Sequence, residues 1–158
     1  MFRKMRRIKQ QLSQQECIDI LINEPRGVLS LIGDDGYPYG IPLNHWYSEK
    51  DGKLYFHGSK KGHKADAISK CNKVSYCVYD SGFRKDGDWA LNIKSVVVFG
   101  KIEFVEDKEK TIEICKNLCL KFTDDKKYME HELKRGSNYV MCLELTPEHM
   151  TGKLVNES

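Results

Sequence analysis

GVLSLIGDDGYPYGIPLNHWYSEKDGKLYFHG, residues 27–58, reads as a β-meander punctuated by turns. Residues 27–32 are a short apolar run. Asp34-Asp35-Gly36 follows as a hairpin turn, because glycine reaches positive φ without a steric cost. Residues 37–47 form a second extended segment. Pro38 and Pro42 cannot donate to a ladder, so this segment is irregular or an edge. Lys50-Asp51-Gly52 repeats the turn signal. Residues 53–58 make a third strand, with Leu54 and Phe56 on one face and Tyr55 and His57 on the other.

On the N-terminal side, Ser13-Gln14-Gln15-Glu16 has the form of a capping box. It opens a helix that runs to about Asn23, buries Cys17, Ile18, Leu21 and Ile22, and is ended by Pro25. Leu12 and Cys17 are placed to staple its start. On the C-terminal side, residues 61–69 suit a short helix and residues 73–79 a fourth strand. Residues 81–88 read as a loop. Residues 95–105 make a long strand in which Gly100 marks a bulge or a close approach. Asp107 caps an amphipathic helix with Ile112, Cys115, Leu118, Cys119 and Phe122 on one face. Residues 124–134 form another helix ending near Gly136, and residues 138–146 the last strand. Short strands at this spacing predict a mainly β fold, a closed or nearly closed antiparallel barrel with flanking helices.

The 158 residues suffice for one domain, residues 1–158, with residues 1–11 as a basic N-terminal arm. A net charge of +3 argues for neither nucleic acid nor an anionic membrane as partner. The arm carries Arg3, Lys4, Arg6, Arg7 and Lys9 with only Phe2 as an aromatic, which reads as a solvated tail. It lacks the apolar segment of a secretory signal, and no stretch is apolar enough to span a bilayer. A cytoplasmic location is expected. The six cysteines are then reduced, and most read as small core residues. Cys115 and Cys119, one turn apart, read as core packing rather than a metal or redox pair.

Chemistry concentrates in Tyr55-Phe56-His57-Gly58-Ser59-Lys60-Lys61-Gly62-His63-Lys64. A strand enters a Gly- and Lys-rich turn and then a helix, whose first N–H groups are unpaired and carry partial positive charge. Gly58 and Gly62 allow close backbone approach, and Ser59 and the lysines offer donors and charge. The pattern suits a phosphate, although neither a Walker loop nor a dinucleotide fingerprint is present, and a solvated basic turn is the plainer alternative. His57 and His63 have no ligand-like spacing, so no metal is expected. His45 and His131 read as surface or packing residues. Residues 37–44 carry the two prolines, which leave neighbouring backbone groups open to a ligand or simply mark an edge.

In order along nearly the whole chain, several pieces resemble the pyridoxamine 5′-phosphate oxidase-like FMN-binding split-barrel superfamily. They are Gly27-Val28-Leu29-Ser30, the run from Asp35 to Asn44, Tyr55 to Ser59 with Gly62-His63-Lys64, Lys94 to Gly100, and Thr151-Gly152-Lys153. Within that superfamily the nitroimidazole-resistance protein branch is the most similar. The resemblance implies a six-stranded antiparallel FMN-binding split barrel that forms a homodimer with FMN at the interface. It implies that Pro42, Leu43 and Asn44 lie along the isoalloxazine edge, and that His57, Gly58 and Ser59 line the ribityl chain and ring. Lys64, with Lys60 and the amides around Gly62 and His63, would hold the phosphate, and Ser95 and Val96 would complete the pocket. The run His45-Trp46-Tyr47 departs from the Tyr or Phe that often follows Asn44, and His45 would alter the pocket beside the ring.

The implied activity is an oxidoreductase that takes reducing equivalents from a nicotinamide or other donor. It would pass them to a small-molecule substrate, a nitroaromatic such as a 5-nitroimidazole, with His57 as candidate proton donor. The rival readings are a non-catalytic flavin-binding or storage protein, and a haem- or deazaflavin-binding relative.

Overall fold

The two turn signals act as read. Asp35 and Gly36 take φ of 55° and 76°, and Gly52 takes 69°. A computed structural model describes residues 1–136 and 140–156. Its elements are α1 (Gln14–Asn23), β1 (Arg26–Ile32), β2 (Pro38–Asn44), β3 (Trp46–Ser48), β4 (Lys53–Ser59), α2 (His63–Lys70), β5 (Lys73–Tyr79), β6 (Asn92–Val105), α3 (Lys108–Leu120), α4 (Lys126–Gly136) and β7 (Val140–Asn156). The strands form one antiparallel sheet in the order β2-β1-β5-β6-β7-β4-β3.

The sheet has seven strands where six were expected. The extra strand arises at His45, which divides residues 37–47 into β2 and β3. β2 is one edge of the sheet and β3 the other, yet a single residue separates them. Consecutive Cα atoms are about 3.8 Å apart, so the two edges must meet there and the sheet must curl. The outcome is a half-barrel around a core that includes Leu29, Phe56, Tyr76, Val96, Ile102 and Leu143. The edge reading of the two prolines holds, since Pro38 and Pro42 lie on β2.

The ends of the helices follow their caps. Ser13 and Glu16 exchange the two hydrogen bonds of a capping box, with Glu16 N donating to Ser13 Oγ at 3.2 Å and Ser13 N donating to Glu16 Oε2 at 2.9 Å. Asp107 Oδ1 accepts from Lys110 N at 2.7 Å. The buried faces are rotated from expectation. In α1 the buried residues are Cys17, Ile20 and Leu21, while Ile22 is exposed. In α3 they are Ile114 and Leu118, while Ile112 and Phe122 are exposed. A helix laid on a curled surface touches it along a narrower, oblique stripe than an ideal wheel suggests.

β7 is far longer than the predicted residues 138–146, of which Asn138 and Tyr139 lie outside the described residues. Pro147 does not end it. The β6–β7 register shifts between Phe99 and Gly100, and Pro147 sits opposite Gly100 at that irregularity, where a ladder bond is already lost. Gly100 is the close-approach site, because a Cβ there would run into the Thr146 carbonyl oxygen. The basic arm is not wholly solvated. Phe2 stacks on His149 with ring centroids 4.8 Å apart, although Arg3, Lys4, Arg6, Arg7 and Lys9 are exposed. No helix among the described residues is long and apolar enough to cross a membrane.

Candidate functional site

β4 delivers the chain into the turn before α2, and Lys64, in the first turn of that helix, folds back over the strand. Its Nζ lies where a Cβ on Gly58 would be, so only glycine at 58 leaves room for the ammonium. No carboxylate among the described residues pairs with Lys64. Burial pushes its pKa below the usual lysine range. An ammonium half withdrawn from water without a counter-charge favours an arriving anion. Gly62, at φ 113°, occupies the N-cap of α2 and offers no side chain to the free N–H groups. Lys64, Gly58 and the open helix start therefore form one basic corner. Ser59 Oγ stiffens the turn by accepting from Lys61 N at 3.2 Å.

His63 turns away from this corner. Its ring stacks on Tyr39 at 4.1 Å, with Nε2 3.7 Å from Asp34 Oδ2. It fastens α2 to the β1–β2 hairpin, so only its backbone amide belongs to the anion corner. His57 points to the outer face of β4. The ring is exposed, yet partial desolvation and then the nearby Lys64 charge hold its pKa below the ordinary histidine value, so the neutral form dominates at pH 7. His57 and Lys60 line a cavity of about 970 Å³ bounded by α2, α3, α4 and the adjoining ends of β6 and β7. The other predicted residues do not line that cavity.

Pro42, Leu43 and Asn44 lie on the edge strand β2, opposite Val28, Gly27 and Arg26. Leu43 packs inward on the core. The Leu43 carbonyl accepts from the Tyr76 hydroxyl at 2.8 Å. Ser95 and Val96 are elsewhere. They stand on β6, three strands from β2, about 14 Å at the usual spacing. Gly58 pairs with Met141 and Ser95 with Lys153, about 40 Å apart along β7. Val96 is fully buried in the core. One chain thus brings Gly58, Gly62 and Lys64 together, sets Pro42 to Asn44 on the free edge, and keeps Ser95 and Val96 apart from both.

His45, read as a surface or packing residue, is a fully buried hydrogen-bonded group, whereas His131 is exposed. His45 Nε2 donates to the Leu21 carbonyl at 2.7 Å, and its Nδ1 lies 2.9 Å from the Tyr76 hydroxyl. Burial and the neighbouring Lys121 push its pKa down to about 3, so it is neutral. Lys121, donating to Glu24 O at 2.6 Å, is itself held down to about 8 by burial. Tyr76 has one proton for two acceptors, His45 Nδ1 and Leu43 O. This network holds the end of β2 from within, and sequence reasoning missed Tyr76 and Lys121. The inward parity of Val74, Tyr76 and Val78 was the available signal for Tyr76. Among the described residues no group of three metal-ligating side chains comes together.

The solved structures similar to this chain share its fold. A candidate 5-nitroimidazole antibiotic resistance protein from Bacteroides thetaiotaomicron superposes with a TM-score of 0.77 at 20% identity, covering 92% of this chain and 87% of that one. An FAD-binding protein from Mesorhizobium loti gives 0.69 at 23% identity, covering 92% and 97%. An FAD and haem binding protein from Mycobacterium smegmatis gives 0.73 at 19% identity, covering 94% and 74%. No curated protein matches the sequence. The profile of the pyridoxamine 5′-phosphate oxidase family matches residues 13–154, most of the chain. With that match, and a half-barrel whose strands and capped helices the sequence accounts for, the chain belongs to the pyridoxamine 5′-phosphate oxidase family.

Proposed function

We propose that this chain is a cytoplasmic flavoprotein that binds FMN at the interface of a homodimer and acts as an oxidoreductase on a small acceptor. The observation that carries the reading is the half-buried, unpaired ammonium of Lys64 beside Gly58 and the uncapped start of α2. A phosphate monoester supplies the charge and acceptors that this corner lacks. The FAD-binding proteins among the similar structures support a flavin in this fold.

In this reading Lys64, with Lys60 and the amides of Gly62 and His63, holds the phosphate. His57, Gly58 and Ser59 line the ribityl chain. The edge of β2 from Pro42 to Asn44 meets the ring, and its carbonyl geometry is maintained by Tyr76. Ser95, remote from the corner within one chain, comes from the second protomer, while Val96 next to it is sealed in the core and offers that ligand no side chain. A flavin so held supplies transfer of reducing equivalents from a nicotinamide donor to an acceptor such as a 5-nitroimidazole. Neutral His57 is the group placed to hold or pass a proton beside it.

The test is the absorption spectrum, the released cofactor and the solution mass of untagged protein. Flavin bands, FMN on release and a dimer are expected. Adding NADPH should bleach the bands, and a nitroaromatic should restore them. A Soret band, a protein that cannot be loaded with flavin, or a fully loaded monomer would overturn the assignment. Full loading without turnover by any nicotinamide would leave the storage reading instead.

A further inference from the structure

The cavity beside His57 has a wall of sulfur. Cys115 Sγ on α3 lies 3.9 Å from Cys142 Sγ on β7, a contact between positions 27 residues apart. Cys142 is fully buried. Cys115 is half-buried and lines the cavity, so small solutes reach its sulfur first. Either sulfur can donate in this contact, and Cys142 Sγ also lies 3.9 Å from the Thr111 carbonyl oxygen. The hydrogen bond with Cys142 holds the Cys115 pKa below its ordinary value, which favours the thiolate at the accessible sulfur. Cys115 and Cys119, read from sequence as core packing, are both half-buried and line the cavity, with Cys115 also packed against the cluster of Tyr55, Ile114, Leu118 and Cys142.

We propose that Cys115 and Cys142 are an oxidisable dithiol that a hydroperoxide converts to an intrachain disulfide. The two sulfurs are already in contact, and a bond needs about 2 Å of further approach. The Cys115 thiolate attacks a peroxide oxygen, the O–O bond breaks, and hydroxide leaves and is protonated to water. Cys115 is then a sulfenic acid. Cys142 sulfur attacks the Cys115 sulfur, the S–O bond breaks, and hydroxide departs with the Cys142 proton as a second water. Two thiols lose two electrons, and hydrogen peroxide is reduced to two waters. Cys142 stands directly opposite His57 in the β4–β7 register, so the new bond pins α3 to the strand pair that carries His57. The step does not depend on flavin.

The experiment uses the full-length chain, reduced, freed of reductant, exposed to hydrogen peroxide, alkylated and mapped by mass spectrometry without reduction. A Cys115–Cys142 linked peptide is expected, with Cys119 still alkylated and the link reversed by dithiothreitol. Cys119→Ser should keep the link. Cys115→Ser and Cys142→Ser should each abolish it, and in Cys142→Ser the Cys115 sulfur should proceed to sulfinic acid. Overturning results are a Cys115–Cys119 link, a link between chains, or sulfinic acid at Cys115 of the native chain with Cys142 still free. The native map alone decides the pairing, so a poorly folded variant does not blunt the test.

Discussion

Gly58 and Lys64 work as one unit, since the missing Cβ of the first is the space taken by the ammonium of the second. Gly58→Ala should therefore displace the far end of a flexible side chain, lowering flavin retention while melting temperature hardly moves. Lys64→Glu should weaken retention roughly ten- to a hundred-fold, the size of a lost charged hydrogen bond. Lys116→Glu, exposed on α3, should retain flavin like the native chain. Flavin titrations of the three variants check this, and equal losses at Lys64 and Lys116 would remove the anion corner. Much of this corner was legible in sequence, because glycine freedom, lysine charge and a helix start act over a few residues. The fate of His63 was not, because its stacking partner Tyr39 lies 24 residues away and meets it only after the sheet curls.

Among the elements, β7 binds the most together, pairing with β6 and β4 along its length. Thr151-Gly152-Lys153 was only a weak signal when read alone, and its packing gives the reason for the glycine. A Cβ at Gly152 would come 2.6 Å from Cys17 Sγ and 3.1 Å from both Leu12 Cδ1 and the Ser95 carbonyl. The glycine is what lets α1 settle on β6 and β7. Gly152→Ala should destabilise the chain by about 1–3 kcal/mol through overpacking. In a chain of this size that is a fall of roughly 3–10 °C in melting temperature. Thermal unfolding followed by circular dichroism reads it, and an unchanged midpoint would mean that α1 shifts freely. Caps and hairpin turns were readable at this scale because their hydrogen bonds are local. The length of β7 was not, because Pro147 reads as a stop unless the bulge opposite Gly100 is known.

The whole molecule is held at one seam, His45, where the two sheet edges meet and an imidazole is sealed inside. Stability against pH reports on it. The folded chain holds His45 near a pKa of about 3, below the ordinary 6.5. Below pH 6.5 the unfolded chain therefore binds a proton that the folded chain refuses. The sign follows: stability falls as pH falls through that window and is fully present above it. Between pH 6 and 5 the slope from this one group is about 1 kcal/mol per pH unit. Denaturant unfolding at stepped pH should show it, and His45→Gln should flatten it. An unchanged slope in that variant would place the titration elsewhere, with His57, also held low by partial desolvation and the Lys64 charge, the first alternative.

What the sequence determined by itself was local: the turn glycines, the helix caps, the parity of each strand and the crowding of lysine and glycine between β4 and α2. These are decided by backbone sterics and hydrogen bonds among near neighbours. The tertiary structure decided the seventh strand, the burial of His45, the Tyr76 contact to Leu43 and the meeting of Cys115 with Cys142. Each of these depends on which distant segments share a register. That choice is made cooperatively, when a curling sheet removes its apolar face from water, and no short window of residues records it.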